Sequence, residues 1–140
     1  MKKILIKTNL KSGGIEKFIV NLMQYISPEE CELHFAVPYA KDHVEFYEQF
    51  VKEWGAVVHK LGEEEEILAY NKKSIINRRI AFFRLLKEER FDVCYINVGG
   101  GGAVHIIKIY LALLAKIPII LVHSHTSDIS AVRLKKLFLK

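Results

Sequence analysis

Two adjacent glycines separate the first apolar segment of the chain from its first helical pattern. Gly13 and Gly14 come after the strand-like residues 3–7, and Glu16 falls in the first turn of the helix that follows. Backbone N–H groups are exposed at a helix N-terminus, and glycine lets a phosphate or a sugar approach them closely. The segment predicts a binding turn for such a ligand, but a tight strand-to-helix turn without a ligand explains the same residues equally well.

Two later segments have a similar position after apolar runs. Gly99 and Gly100 begin a run of four glycines, and His123 and His125 lie at the end of the last apolar run. The glycine run is expected either to cradle an anion or to form a flexible turn beside a substrate. Alternate residues of a strand point to the same side, so the two histidines lie on one side of the predicted strand. They could contact a sugar or a phosphate, or they could be structural residues. We predict no metal site, because zinc needs three or four ligands.

The elements that must position these residues alternate regularly along the chain. Runs of apolar residues with period two, or without a break, predict strands at 3–7, 33–37, 56–59, 93–96 and 118–123. Helical spacing predicts helices between these strands and a fifth helix from Ser130 onward. In the third helix we expect Ile76, Ile80 and Phe83 on the buried side. The alternation predicts an α/β fold, a Rossmann-like doubly wound parallel sheet of about five to six strands with helices on both faces. Ligands of such sheets bind at the carboxyl ends of the strands.

Length and composition limit the classes of protein that fit. The chain has 140 residues, of which 51% are hydrophobic, which predicts one domain over 1–140 with a substantial core. Cys31 and Cys94 lie in apolar runs and are expected to be reduced core residues. Residues 103–122 are apolar but contain two lysines and Pro118, so we expect a buried helix, a turn and a buried strand instead of a membrane span.

Charge is distributed unevenly. Residues 28–70 carry eleven acidic and three basic residues, whereas the remainder carries eighteen basic and five acidic residues. The third helix, within residues 72–90, carries seven of those basic residues together with isoleucine and phenylalanine. A basic amphipathic helix can lie on an anionic membrane, and a solvated outer face explains the same pattern. No nucleic-acid-binding motif accompanies the charge, so nucleic acid is not expected to be the partner.

Three motifs together resemble the N-terminal half of family 4 glycosyltransferases, which are retaining enzymes of the GT-B fold. The motifs are Gly-Gly-x-Glu after the first strand, Phe-Asp-Val at residues 91–93, and Ile-Pro followed by a histidine, at Ile117, Pro118 and His125. The order and spacing of the elements agree over nearly the whole chain. The His-Ser-His-Thr sequence at 123–126 is most similar to members that build capsular polysaccharides and exopolysaccharides.

The resemblance implies roles for individual residues. Gly13 and Gly14 would offer backbone donors to the diphosphate and sugar of a nucleotide-sugar, which is a substrate and not a cofactor. His125 would hydrogen-bond the transferred sugar, and Glu16 would hold the loop. The predicted site comprises a catalytic His125 and a substrate-binding set of Gly13, Gly14, Glu16, Asn97, Gly99, Gly100 and His123.

The resemblance also implies partners and a location. In that family the N-terminal domain binds mainly the acceptor, here a saccharide or lipid-linked saccharide, and a C-terminal domain binds the nucleotide-sugar. We expect that donor domain to be absent from these 140 residues, so that the chain is truncated or works with a separate partner chain. We expect a cytoplasmic protein, peripheral on the inner face of the cell membrane through residues 72–90. An exposed interdomain face predicts a homo-oligomer.

Other functions fit the same residues. The chain could be a non-catalytic binding or regulatory α/β module, or one half of a split glycosyltransferase. A sugar-nucleotide epimerase of the same architecture fits less well, because the Gly-Gly-x-Glu turn is more typical of the transferases.

Overall fold

The computed structural model describes residues 1–62, 72–98 and 103–124, and these residues form alternating strands and helices. The strands are β1 (Lys2–Lys7), β2 (Cys31–Val37), β3 (Val57–Lys60), β4 (Val93–Val98) and β5 (Ile119–Ser124). The helices are α1 (Gly14–Met23), α2 (Glu48–Glu53), α3 (Lys72–Glu89) and α4 (Ala103–Leu114). The predicted fifth helix lies outside the described residues.

All five strands are parallel and follow the spatial order β3-β2-β1-β4-β5. The central strand β1 pairs on one side with β2, where Leu5 is opposite His34, and on the other side with β4, where Leu5 is opposite Cys94. The chain builds outward from β1 in one direction through β2 and β3, and in the other through β4 and β5. The predicted Rossmann-like parallel sheet is confirmed, with its topological switch point between β1 and β4.

The core has two layers, one on each face of the sheet. Phe35, Ile19 and Met23 belong to the layer beneath α1 and α2. Leu5 and Phe91 belong to the layer beneath α3 and α4. Cys31 lies in the first layer and Cys94 in the second, and both are buried free thiols, as predicted.

The buried side of α3 differs from the sequence prediction. Ile76 and Ile80 are each 52% exposed, so their predicted burial is wrong, and Phe83 is only half-buried. The residues that α3 buries are Ser74, Phe82, Leu85 and Leu86. Both sets of residues recur at helical spacing. The set with Phe82 and the two leucines faces the sheet because it provides the larger contiguous apolar surface for packing against Phe91.

The last described helix and strand are less buried than predicted. In α4, Tyr110 is 59% and Leu113 60% exposed, and Ala112 is fully buried. In β5, Ile119 and Leu121 are each 49% exposed. β5 is the outermost strand on its side of the described sheet, so no described strand pairs with its outer edge.

A pair of substitutions on α3 distinguishes its two faces. Phe82→Ala should lower the free energy of unfolding by about 3–5 kcal/mol, because it leaves a cavity in the core. Ile80→Ala should change it by less than about 1 kcal/mol, because half of the Ile80 side chain is already in water. Urea denaturation of both variants measures the difference. Equal losses would show that α3 is rotated from the orientation described here.

Candidate functional site

A cleft of about 180 Å³ lies at the carboxyl edge of the sheet, at the switch point between β1 and β4. Four elements contribute to it: the end of β1 and the residues after it, the first turn of α1, the end of β4, and α4. The lining residues are Lys7, Thr8, Asn9, Ile15, Glu16, Asn97, His105 and Lys108. Two of them, Glu16 and Asn97, belong to the predicted site. Ligands of doubly wound sheets bind at this position, so we take the cleft as the candidate site.

The two glycines of the turn differ in what surrounds them. Gly13 precedes α1 with an extended backbone (φ −137°, ψ 166°) and offers no side chain to cap the helix. A Cβ atom on Gly13 would lie 2.5 Å from Oε2 of Glu16, so the missing side chain leaves room for that carboxylate. A Cβ atom on Gly14 would meet none of the described residues within 4 Å outside its own helix and chain neighbours. The Glu16 carboxylate therefore lies against the turn, where the resemblance implied that it holds the loop.

Lys7 is the most unusual residue of the cleft, because its ammonium group is buried at the end of the central strand. Lys7 and Thr8 are successive and point to opposite faces of the sheet, Lys7 to the side of α3 and α4. The Nζ atom of Lys7 donates a hydrogen bond to the backbone carbonyl of Ala36 at 3.2 Å. Burial, reinforced by the positive charges of Lys108 and Arg78, lowers the pKa of Lys7 to about 7.

The surrounding charges leave this part of the cleft with an excess of positive charge. Burial also lowers the pKa of Lys108, and the charge of Arg78 lowers it further. Glu16 is the one carboxylate among the lining residues of the described structure. An anion placed here would relieve the repulsion among the three cations and restore the pKa of Lys7 towards its ordinary value of 10.5. Chemically, this part of the cleft can accept an anionic group.

Asn97 reaches the cleft from β4. It is buried, and its Nδ2 atom donates a long hydrogen bond of 3.5 Å to Oγ1 of Thr8, across the β1–β4 boundary. The amide and the hydroxyl together present polar groups between the two strands at the switch point. Its role in binding a substrate stays a prediction.

His123 is Asn97's partner in the register of β4 and β5, but its side chain contacts two aromatic residues. Its Nδ1 atom shares a hydrogen bond with the hydroxyl of Tyr95, and the Phe18 ring meets it edge-on at 5.3 Å between centroids. These contacts hold the imidazole towards α1. Its predicted contact with substrate stays a prediction. His125, Gly99 and Gly100 lie outside the described residues, and their roles stay predictions as well.

Asp92, in the Phe-Asp-Val motif, has a structural role. It lies at the amino edge of the sheet, opposite the cleft, where its Oδ2 atom accepts a hydrogen bond of 2.8 Å from the backbone N–H of Lys3. This hydrogen bond, together with the charge of Lys2, holds the pKa of Asp92 below its ordinary value although partial desolvation opposes it. Asp92 therefore joins the starts of β1 and β4.

Neither a metal-binding cluster nor a membrane-spanning helix occurs among the described residues. Within 1–62, 72–98 and 103–124, no group of three or more His, Cys, Asp and Glu side chains could hold a metal ion. None of the helices in these ranges is both long enough and apolar enough to cross a bilayer.

The predicted site did not include Lys7, Lys108 or His105. Each was visible as a polar residue inside an apolar run: Lys7 ends an apolar strand, and the other two interrupt an apolar helix. When a strand or helix is packed on both sides, a charged residue in it is either buried or lies at an edge of the sheet. A polar residue inside an apolar run was thus the available signal in the sequence. Only the strand order shows that all three residues meet in the cleft.

Comparison with solved structures identifies the type of fold. The chain superimposes on MurG from Acinetobacter baumannii with a TM-score of 0.61 and 14% identity, over 97% of this chain and 38% of that one. It superimposes on a glycosyltransferase from Rickettsia africae with a TM-score of 0.58 and 12% identity, over 94% of this chain and 33% of that one. Its fold is glycosyltransferase-like. The chain spans about a third of the length of either protein.

A similar fold also occurs in a protein that is named as a hydrogenase and not as a glycosyltransferase. The C-terminal domain of PF1911 hydrogenase from Pyrococcus furiosus matches with a TM-score of 0.57 and 12% identity, over 87% of this chain and 91% of that domain. No protein-family model and no curated protein matches the chain. At these identities the likeness establishes the fold, and the function must be argued from the site.

The buried ammonium group of Lys7 predicts a dependence of stability on pH. The unfolded chain holds this proton up to about pH 10.5, whereas the folded protein releases it from about pH 7. The unfolded state binds more protons between these values, so the free energy of unfolding should rise with pH there, by about 4 kcal/mol. Lys7→Met should remove that rise. Urea denaturation at several pH values measures it, with the exposed Lys2→Met as control. Parallel profiles for wild type and Lys7→Met would contradict the assigned burial.

The surroundings of the glycines predict opposite effects of two alanine substitutions. Gly14→Ala should leave the melting temperature unchanged or raise it slightly, because the new methyl group meets nothing and the unfolded chain loses freedom. Gly13→Ala should displace the Glu16 carboxylate, because the methyl group would overlap Oε2. Calorimetry and the NMR shifts of Glu16 measure the two effects. A large loss of stability in Gly14→Ala would refute the open space described at that position.

Proposed function

We propose that the chain is the acceptor-side domain of a retaining glycosyltransferase that acts in surface polysaccharide synthesis. The observation that carries the proposal is a cationic cleft at the switch point of a glycosyltransferase-like fold. The acceptor would be a saccharide joined to a lipid through phosphate groups. A second domain, in the same gene product or in a partner chain, would hold the nucleotide-sugar donor.

The cleft residues would divide the work of acceptor binding. Lys7 and Lys108 would neutralise the phosphate groups of the acceptor, and the Asn97 amide and Thr8 hydroxyl would hydrogen-bond it. Because these groups are partly or fully buried, each contact acts in a medium where charges interact more strongly than in water. The acceptor would enter with its phosphates at the end of β1 and its sugar towards the donor domain.

The transfer step would take place above the glycine turn. The bond between the sugar's anomeric carbon and the nucleoside diphosphate breaks, and a bond to an acceptor hydroxyl oxygen forms. The departing diphosphate would take up the acceptor's proton, while backbone N–H groups near Gly13 and Gly14 stabilise its charge. His125 would hydrogen-bond the transferred sugar, as the family resemblance implies. The open space around Gly14 supports a close approach of the donor.

Binding to the isolated chain tests the acceptor site. Three probes are titrated by calorimetry: inorganic diphosphate, a nucleoside diphosphate, and a monosaccharide linked through diphosphate to a short lipid chain. We expect the lipid-linked sugar to bind most tightly. Lys7→Met and Lys108→Met should each weaken its binding by about tenfold, whereas Lys2→Met, at the opposite edge of the sheet, should change it by less than about twofold. Binding should weaken as the pH rises from about 6 to about 9, because Lys7 loses its proton.

Two results would count against the proposal. If none of the three probes binds, the buried lysines are structural and the cleft is not a substrate site. If the nucleoside diphosphate binds best and depends on Lys7, the cleft belongs to a nucleotide and not to an acceptor.

Transfer itself requires the donor domain. The coding sequence beyond Lys140, and the genes beside it, are read for a second α/β domain, and that domain is assayed together with this chain and a radiolabelled nucleotide-sugar. Gly14→Val should abolish transfer while the melting temperature is kept, because a Cβ atom at this position meets none of the described residues within 4 Å outside its own helix and chain neighbours. Full activity of this variant would remove the turn from the mechanism.

A second function, a non-catalytic binding or regulatory module, is supported by the hydrogenase domain. That domain is similar in fold and in size, since the match covers 91% of it. A module of this kind would bind an anionic ligand in the same cleft but would yield no transfer with any donor domain, which separates it from the enzyme.

A further inference from the structure

Two histidines on neighbouring strands bond to each other on the α3 side of the sheet. His34 in β2 is 3% exposed, and the edge of the Phe91 ring covers it at 5.1 Å between centroids. Its imidazole is nearly parallel to that of His59 in β3, at an angle of 9°. The Nδ1 atom of His34 and the Nε2 atom of His59 are 2.7 Å apart, which is a hydrogen-bond distance. We call these two residues the histidine pair.

A carboxylate fixes where the hydrogens of the pair lie. The Nε2 atom of His34 is 2.7 Å from Oε1 of Glu32, and an ionised carboxylate only accepts hydrogen bonds, so this nitrogen carries a hydrogen. In neutral His34 the other nitrogen, Nδ1, then has a lone pair and accepts a hydrogen bond from the Nε2–H group of His59. A chain of hydrogen bonds therefore runs from His59 through His34 to Glu32.

The bond between the two imidazoles tolerates one added proton but not two. With one added proton, either ring can carry the charge, because the facing nitrogen of the other ring still has a lone pair. With two, both facing nitrogens carry hydrogens while lying 2.7 Å apart. Repulsion between two cations then replaces the hydrogen bond.

The charged groups around the pair come from three elements. Among the described residues, Lys3 of β1, Glu32 of β2 and Glu89 of α3 face the two imidazoles. Lys3 is paired with Glu89, and its Nζ atom lies 3.9 Å from Oε1 of Glu32. The two carboxylates and the one ammonium group leave one negative charge. A single proton on the histidine pair balances that charge, and a second proton exceeds it.

Burial opposes the second proton. It lowers the pKa of His59, the charges of His34 and Lys3 lower it further, and Glu89 acts in the opposite direction. A detached β3 would instead take up the proton near the ordinary pKa of 6.5. Because the detached state binds more protons below that value, a fall in pH favours detachment.

β3 is the strand that this repulsion would move. It has four residues and lies at an edge of the described sheet, where it pairs with β2 alone. An edge strand of this length has few backbone hydrogen bonds to lose. The bond between His34 and His59 is therefore a substantial part of what holds β3 to its neighbour.

Lys60 connects β3 to the loop between β2 and α2, residues 38–47. Its Nζ atom donates hydrogen bonds of 3.0 and 2.5 Å to two backbone carbonyls of this loop, and it lies 3.0 Å from Oε1 of the fully buried Glu48. The loop is joined in turn to the segment after β1, because the N–H group of Tyr47 donates to the carbonyl of Leu10 at 2.9 Å. A shift of β3 would thus reach the carboxyl edge of the sheet.

We propose that the histidine pair is a proton switch, which holds β3 on the sheet when it carries at most one proton and releases it when it carries two. The release would withdraw Lys60 from its acceptors and loosen the loop 38–47, on the same edge of the sheet as the cleft. The switch rests on the contacts of the two imidazoles and does not depend on the proposed transferase activity.

Nitrogen NMR of the wild-type chain tests the hydrogen bonds of the pair. At pH values above about 7 we expect a hydrogen on Nε2 of His34 and a scalar coupling between its Nδ1 atom and Nε2 of His59. The coupling should disappear as the pH falls below about 6.5. Two imidazoles that titrate independently, with no coupling at any pH, would overturn the proposal.

Hydrogen exchange measures the release of β3. Between about pH 7 and about pH 5, the protection factors of the β3 amides should fall by about tenfold or more, and those of the β1 amides by less than about twofold. The amide of Leu61, which bonds the carbonyl of Val37, should follow β3. Equal losses in β1 and β3 would show unfolding of the whole domain, and an unchanged β3 would show no release. Either result would overturn the proposal.

Two substitutions assign the response to the pair. His59→Gln keeps an amide N–H group that can donate to Nδ1 of His34 but takes up no proton, so the acid loss of protection in β3 should shrink to less than about twofold. His43→Gln, which removes the imidazole beside Glu45, is the matched control and should keep the full loss. Melting temperatures at neutral pH confirm that both variants are folded. A full acid response in His59→Gln would overturn the assignment.

The amide of Tyr47 reports whether the loop follows the strand. In the wild type its protection should fall together with that of β3, because Lys60 joins the two segments. In His59→Gln it should stay constant within about twofold over the same pH range. Loss of protection that is confined to β3 would overturn the link between the switch and the loop.

Discussion

The central strand β1 is hydrogen-bonded along both edges, to β2 through Lys2–Lys7 and to β4 through residues 4–7. A strand that is paired on both sides and covered by helices on both faces has no exposed position except at its ends. Its last residue is a lysine whose ammonium group is fixed against the Ala36 carbonyl. The placement of the cleft, its positive charge and the arrangement of the helices around it all depend on this strand.

Much of this architecture could be predicted from the sequence, because alternating strand and helix periods permit few other arrangements. The positions of all five strands agree with the structure to within two residues, and both cysteines are in the core. The orientation of α3 could not be predicted, because two apolar stripes at helical spacing compete on that helix, and only the shape of the sheet beneath decides between them. α2 begins only at Glu48, since Phe46 and Tyr47 before it form a turn.

The site was predictable only in part. Glu16 and Asn97 could be selected because they lie next to glycines or at a strand end, which are local features of the sequence. The cluster of Lys7, Arg78 and Lys108 could not be predicted in the same way. These residues are up to about a hundred positions apart in the sequence and meet only through the order of the strands. A lysine inside an apolar run indicates burial but not its neighbours. Fold and site are therefore separable in this chain, as the likeness to both a glycosyltransferase and a hydrogenase domain illustrates.

The strand order has a consequence for how the chain is made. Residues 2–60 contain three adjacent strands that can pair as soon as they are synthesised, but β1 finds its second neighbour only about ninety residues after its own start. Asp92, whose side chain accepts a hydrogen bond from the Lys3 backbone N–H, is synthesised equally late. During that interval the nascent half-sheet has an open central edge, and Leu5 lacks the cover of Phe82, Leu86 and Phe91. Translation thus passes through a stage in which the strand that later organises the whole domain is the one most available to pair with another chain.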